Sequence, residues 1–137
     1  DPETQPIMLR LKSNFVGIVD AAIDGRLNEV AADWDRRVAL GVVMAAANYP
    51  DTPRKGDVIH GLPARTEDSH VFHAGTADVD GRTVTRGGRV LCVTGLGDSV
   101  KMAQARAYQT VTTISFDGVQ YRNDIGHRAI ARKRAGE

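Results

Sequence analysis

Gly87-Gly88-Arg89 places two residues without side chains before a planar cation rich in donors, the combination needed for close backbone approach to a phosphate and for a bidentate clamp on it. Gly75-Thr76 lies on a stretch expected to run across from this group, so that a backbone amide, a hydroxyl and a guanidinium meet one dianion. His73 precedes that pair closely and is the histidine best placed to join it. The same residues have plainer uses: paired glycines serve backbone geometry, an Arg opening a strand is solvated, and a strand histidine packs. Asp1 and Glu3 precede a helical pattern, where two carboxylates can hold a metal or a substrate amine, or simply cap the helix against its dipole.

The elements that must position these residues follow from pattern. Val71-Phe72-His73-Ala74 and Val90-Leu91-Cys92-Val93 have strand composition, and Asp80-Gly81 supplies the φ-tolerant pair at which the chain reverses, so 71–94 reads as one hairpin. Upstream, Met8, Leu11, Phe15, Ile18, Val19, Ala22 and Ile23 recur at three- and four-residue spacing, which predicts a helix from Pro6 to a stop at Gly25. Leu27 to Arg37, with Trp34 among charges, reads as a crossover, and Val38 to Ala47 as a buried strand. The Asn48 to Pro53 segment is an exposed turn, and Val58-Ile59 has strand character. A helix from Ser99 to about Thr113 buries Met102, Ala103, Ala105, Tyr108, Val111 and Ile114 and leaves Lys101 and Arg106 to solvent. The 121–126 segment is a final turn docked through Tyr121 and Ile125, and the basic residues beyond it read as a frayed tail.

Composition narrows the function classes. A chain of 137 residues with 42% hydrophobic content can bury one core, and 18 cations against 17 anions give a net charge of +1, which argues against a nucleic-acid stripe or a membrane patch. Cys92 is the only cysteine, so there is no disulfide framework, and a reducing, cytoplasmic setting with an inert core thiol is expected. No apolar run is long enough to span a bilayer. The chain opens without an initiator Met in polar, motif-like sequence, as expected of a piece of a longer protein.

Other constellations are set aside. Gly95-Leu96-Gly97 suggests a dinucleotide loop, but the third glycine of that pattern falls on Val100, and Asp98 or Ser99 serves as a helix cap. His70 and His73 point to opposite faces of one strand, and Asp78 to Gly81 lacks the later Glu of a calcium loop, position 87 being Gly. Neither Ser69 nor Ser99 has a base at motif spacing.

The ordered succession of Asp1-Pro2-Glu3-Thr4-Gln5, Trp34-Asp35, Gly41-Val42-Val43, Tyr49-Pro50, the 56–61 stretch, 71–76, 87–94, Phe116-Asp117-Gly118 and 121–126 resembles the C-terminal part of the phosphoribosylamine–glycine ligase family. The resemblance runs over essentially the whole chain and covers about the last third of the family's length. It implies a fragment of an ATP-grasp ligase of purine biosynthesis. In that family ATP phosphorylates glycine, and 5-phosphoribosylamine attacks the glycyl phosphate with Mg²⁺ or Mn²⁺ neutralising the transferring group. The family's metal ligands lie in a motif immediately before Asp-Pro-Glu. The resemblance therefore implies that this stretch holds neither metal nor ATP, is inactive alone, and belongs to a protein that is monomeric at full length.

What it implies residue by residue is recognition. Arg89, backed by the amides of Gly87 and Gly88 and by Thr76, Gly75 and His73, matches the hairpin with which related ligases hold a ribosyl phosphate, and Asp1 and Glu3 match the motif beside the reaction centre. Arg86 stands where the family often has Asn, and Gly95 where Ala is common. The expected fold is α+β: residues 1–37 as the helical end of an ATP-grasp domain, then 38–137 as a mostly antiparallel sheet with the Ser99 helix across one face, similar to the C-terminal domain of biotin carboxylase. Sequential hairpins independently favour antiparallel pairing. The competing reading is a barrel-sandwich carrier module, which would present a Lys at a hairpin tip; the 78–82 tip has none.

Overall fold

The computed structural model describes residues 2–64 and 66–134, with the side chains of Lys133 and Arg134 outside that description. Its centre is a three-stranded antiparallel sheet in the order β1 (Val38–Ala45), β5 (Arg89–Gly97), β2 (Ser69–His73). The register pairs Val42 with Val93 on one side of β5 and Val71 with Val93 on the other, so the most apolar strand is flanked on both edges. Between β2 and β5 the chain makes a two-stranded ribbon, β3 (Thr76–Val79) and β4 (Arg82–Thr85). Asp80 (φ 51°) and Gly81 (φ 73°) both take positive φ at its tip, the twist a tight hairpin needs, and Asp78 Oδ1 accepts from Gly81 N–H at 3.1 Å. The acid pattern at 78–81 thus builds a turn, as the sequence indicated.

Helix α3 (Val100–Val111) covers one face of the sheet and is capped by the Ser99 hydroxyl, which accepts from Met102 N–H at 3.2 Å. Ala103, Ala107 and Val111 face β5, where Gly95 and Gly97 let the helix backbone come close: a Cβ on Gly95 would stand 2.5 Å from Ala103 O, and one on Gly97 2.5 Å from Ala103 N. Helix packing thus accounts for the Gly-Leu-Gly run. Leu40, Val42, Met44, Leu91, Val93, Ile114 and Phe116 complete the core, with Ile125 packed against it. Met102 is 41% exposed and Ala105 is exposed, contrary to the helical pattern, because the approach at Gly95 and Gly97 turns the 103/107 stripe inward. Tyr121 stays exposed while Ile125 docks. The basic tail, expected to fray, forms α4 (His127–Arg134).

The single N-terminal helix of the sequence pattern is two. Helix α1 (Thr4–Arg10) ends where Leu11 turns extended and bridges Trp34, while Lys12 N–H donates to Asp33 O at 2.9 Å; Asn14 Oδ1 then caps α2 (Phe15–Ile23) from Val16 N–H at 3.0 Å. Tertiary pairing with 33–35 overrode a helical periodicity that runs through the break. Gly25 (φ 70°) stops α2 as expected. Helix α1 lies on the sheet face opposite α3, over Gly41, where a Cβ would come within 3.1 Å of Pro6 Cγ. The strand expected at Val58-Ile59 is only an isolated bridge to Val84, with His60 bridging Ser115.

Candidate functional site

The bend between β2 and β3 and the start of β5 are sewn together by backbone bonds. Ala74 N–H donates to Val90 O at 3.0 Å, and Gly75 N–H to Arg89 O at 2.9 Å. In return Arg86 N–H and Gly87 N–H donate to Gly75 O at 2.7 and 3.2 Å. Gly75 and Gly87 are bare because their backbones touch: a Cβ on Gly75 would lie 2.7 Å from Gly87 Cα. The predicted juxtaposition of 75–76 with 87–89 is therefore present, with one correction. The Gly87 amide is spent on Gly75 O, so it is part of the hairpin's own lacing and is not offered to a ligand.

Gly88 needs a second correction. A Cβ there would meet the Tyr49 ring at 2.5 Å and Pro53 Cγ at 3.1 Å, so the position is bare to seat an aromatic ring from the 47–53 turn. That turn, which contains a cis Tyr49-Pro50 bond, is tied down by Ala46 N–H to Gly88 O at 2.8 Å and by Arg54, which bridges Asp57 and Asp117. Tyr49, 37% exposed, belongs to this neighbourhood, where the sequence pattern indicated only an exposed turn. His73 and Thr76 pair with each other, Nδ1 to Oγ1 at 3.1 Å, across the bend.

Arg89 is exposed as the first residue of β5. Glu3 occupies the N-cap position of α1 but its side chain makes no cap hydrogen bond, which removes the simple capping role. Its carboxyl is held below the usual glutamate value, chiefly by a hydrogen bond from its own backbone N–H, with the Arg89 guanidinium a minor contributor. A carboxylate biased toward its ionised form is a poor proton acceptor and a good partner for a cation. Asp1, its expected companion, lies outside the described residues. Cys92, between the sheet and α1, is fully buried, and burial pushes its thiol up to about 11. Among the described residues no three of His, Cys, Asp and Glu gather as a metal ion requires, and no helix is long and apolar enough to cross a membrane.

Fold and site together define a small α+β domain whose central strand begins with an exposed guanidinium, that of Arg89. The chain belongs to the family described as phosphoribosylglycinamide synthetase, C domain, whose model matches residues 39–128. It is 66% identical over 132 residues to a phosphoribosylamine–glycine ligase from Ralstonia nicotianae, which covers 96% of this chain and 31% of that protein. It is 59% identical over 133 residues to the ligase of the same name from Neisseria meningitidis serogroup A, again 96% of this chain and 31% of the relative. The crystal structure of phosphoribosylamine–glycine ligase from Thermotoga maritima superposes with a TM-score of 0.63 at 38% identity, covering 80% of this chain and 27% of that one. The chain thus spans about a third of the length of these curated relatives, 31% in each case.

Proposed function

We propose that this chain is the substrate-side part of an ATP-dependent ligase that joins glycine to 5-phosphoribosylamine, giving glycinamide ribonucleotide, ADP and phosphate in purine biosynthesis. Its relatives are phosphoribosylamine–glycine ligases, which supports a ligase of glycine and phosphoribosylamine. The observation that carries the local role is the exposed guanidinium of Arg89 at the start of β5, whose backbone is laced to the 74–76 bend. A phosphorylated sugar amine carries an anion and a basic nitrogen, and a guanidinium complements the first as an ionised carboxylate complements the second. Arg89 holds the phosphate, with Gly88, Thr76 and His73 shaping the rim and Gly75 and Gly87 fixing the hairpin. Glu3, with Asp1, orients the amine.

The remainder of the activity belongs to the part of the longer ligase that this chain does not span. On this reading ATP and Mg²⁺ or Mn²⁺ sit there. When bound, the metal neutralises charge on the transferring phosphoryl group. Residues 1–37 close an ATP-grasp domain, 38–137 form a lid-like domain similar to that of biotin carboxylase, and the isolated chain is inactive. The full-length protein is a cytoplasmic monomer.

The test is Arg89→Ala in the longer ligase. It should raise KM for phosphoribosylamine by roughly 10- to 100-fold, the size of a lost charge-assisted hydrogen bond, and leave KM for ATP unchanged. An equal rise in both constants overturns the assignment.

A further inference from the structure

The two faces of the central sheet are put to different uses. Val42, Met44, Val71, Leu91 and Val93 point toward α3 and fill the core. On the other face the register sets Gly41, Thr94 and His70 in one row and Val43, Cys92 and Phe72 in the next, since residues paired across an antiparallel ladder share a face. Helix α1 covers this face chiefly over β1 and β5, with Pro6 above Gly41. The β2 side is left to Phe72, a half-buried aromatic residue outside the core cluster. Its ring is steadied by His70, two residues earlier on the same face, which meets it edge-on with centroids 4.5 Å apart and planes at 88°.

Strict alternation along β5 would send Arg89 to the core side with Leu91 and Val93. The ladder shifts register between Met44 and Ala45 instead: Met44 pairs with Leu91, but Ala45 pairs with Arg89. Arg89 therefore shares the face of Ala45, Val43 and Cys92, with Phe72 one strand away. Bulges re-aim side chains in this way next to active sites. From Arg89 to Cys92 is three residues, ~10 Å of strand, a span that a guanidinium and a sugar phosphate bridge together.

We infer that Phe72 is a substrate-contacting residue: with its phosphate on Arg89, phosphoribosylamine lies along this face and packs the C–H side of its ribose on the Phe72 ring. The inference rests on the Arg89 reading proposed above and extends it from the phosphate to the sugar. The register shift carries it, because it brings an exposed cation onto the one sheet face where an aromatic ring stands outside the core. An apolar floor with a single well-placed charge is the usual make-up of a small-molecule site.

In the longer ligase, ribose 5-phosphate and inorganic phosphate serve as competitors of phosphoribosylamine. Phe72→Leu should weaken inhibition by ribose 5-phosphate roughly 2- to 10-fold, the size of a lost aromatic contact, and leave inhibition by inorganic phosphate unchanged. Arg89→Ala should weaken both. In the unsubstituted ligase, NMR saturation of aromatic protons should pass to the ribose protons of bound ribose 5-phosphate, which tests the contact even where Phe72→Leu does not fold. Absence of that transfer overturns the inference and leaves the Arg89 reading standing. So does a Phe72→Leu ligase that weakens both competitors alike, or one that melts lower with both constants unchanged, in which case another part of the ligase covers the ring. If Arg89→Ala moves neither competitor, the Arg89 reading fails and the inference fails with it.

Discussion

Residues 2–37 and the sheet region that follows are built from similar amounts of apolar sequence and use it in opposite ways. In the sheet region the large apolar side chains meet one another: Met44, Leu91, Val42, Val90 and Val93 are sealed between β1, β5, β2 and α3. In the N-terminal region Ile7, Phe15, Val16, Ile23, Leu27 and Trp34 all stand more than two-fifths exposed, and Ala21 is its buried hydrophobic residue. Helix α2 packs chiefly on the short 3-10 turn Leu27–Glu29, and the excursion is closed at its base by the pairing of Lys12 with Asp33 and of Arg10 with Asp35. One region is a finished core; the other leaves most of its large apolar side chains open. This contrast supports the reading of 1–37 as the edge of a larger domain supplied by the longer ligase.

The comparison breaks most visibly at Gly97. A methyl there lands on the backbone of α3, 2.5 Å from Ala103 N and 2.9 Å from Met102 C, with no side chain able to yield. Gly97→Ala should destabilise the chain by about 3 kcal/mol, the upper range for overpacking, measured by urea denaturation followed by circular dichroism. If the sheet region tolerates that methyl within a few tenths of a kcal/mol, the close packing of α3 on β5 is not what holds it together.

Much of that finished core was legible in the sequence. Strict strand composition at 71–74 and 90–93 and the Asp80-Gly81 turn gave the hairpin, and the Ser99 cap gave α3, because those signals are local. The N-terminal helix was misread because its break at Leu11 to Asn14 is imposed by residues 33–35, a partner the periodicity cannot show. The site was half legible. Glycine pairs announced a close approach, but the sequence does not say what approaches: Gly87 meets Gly75, and Gly88 meets Tyr49, where a ligand had been expected at both amides. The ion pairs that join Arg37 to Asp35 and Asp68, and Asp68 to Arg106, had no signal either, since these residues look solvated until the fold brings them together.

A middle-sized effect tests the boundary between packing and site. Gly88→Ala pushes a methyl into the Tyr49 ring, which is held by the pinned 47–53 turn, and should cost about 1 to 2 kcal/mol of stability. Adding Tyr49→Ala should make the Gly88→Ala step nearly neutral, since the obstacle is gone; a double-mutant cycle reads the coupling directly. Additive losses would show that Gly88 is required for something other than room for the ring.

The smallest effect in the isolated chain is the most informative about the N-terminal region. Ile23 is 78% exposed on α2, so replacing it with Lys removes little buried area and should change the stability of the 137-residue chain by no more than about 0.5 kcal/mol. In the longer ligase the same side chain is proposed to lie under the rest of an ATP-grasp domain, and a charge placed there should cost about 2 to 4 kcal/mol, seen as a lowered melting temperature. The difference between the two measurements is the quantity of interest, because it cancels any effect of Lys on α2 itself. A cost that is equally small in both proteins would mean that this face of α2 looks into solvent in the intact enzyme, and that the bare N-terminal surface is not the half-interface its composition suggests.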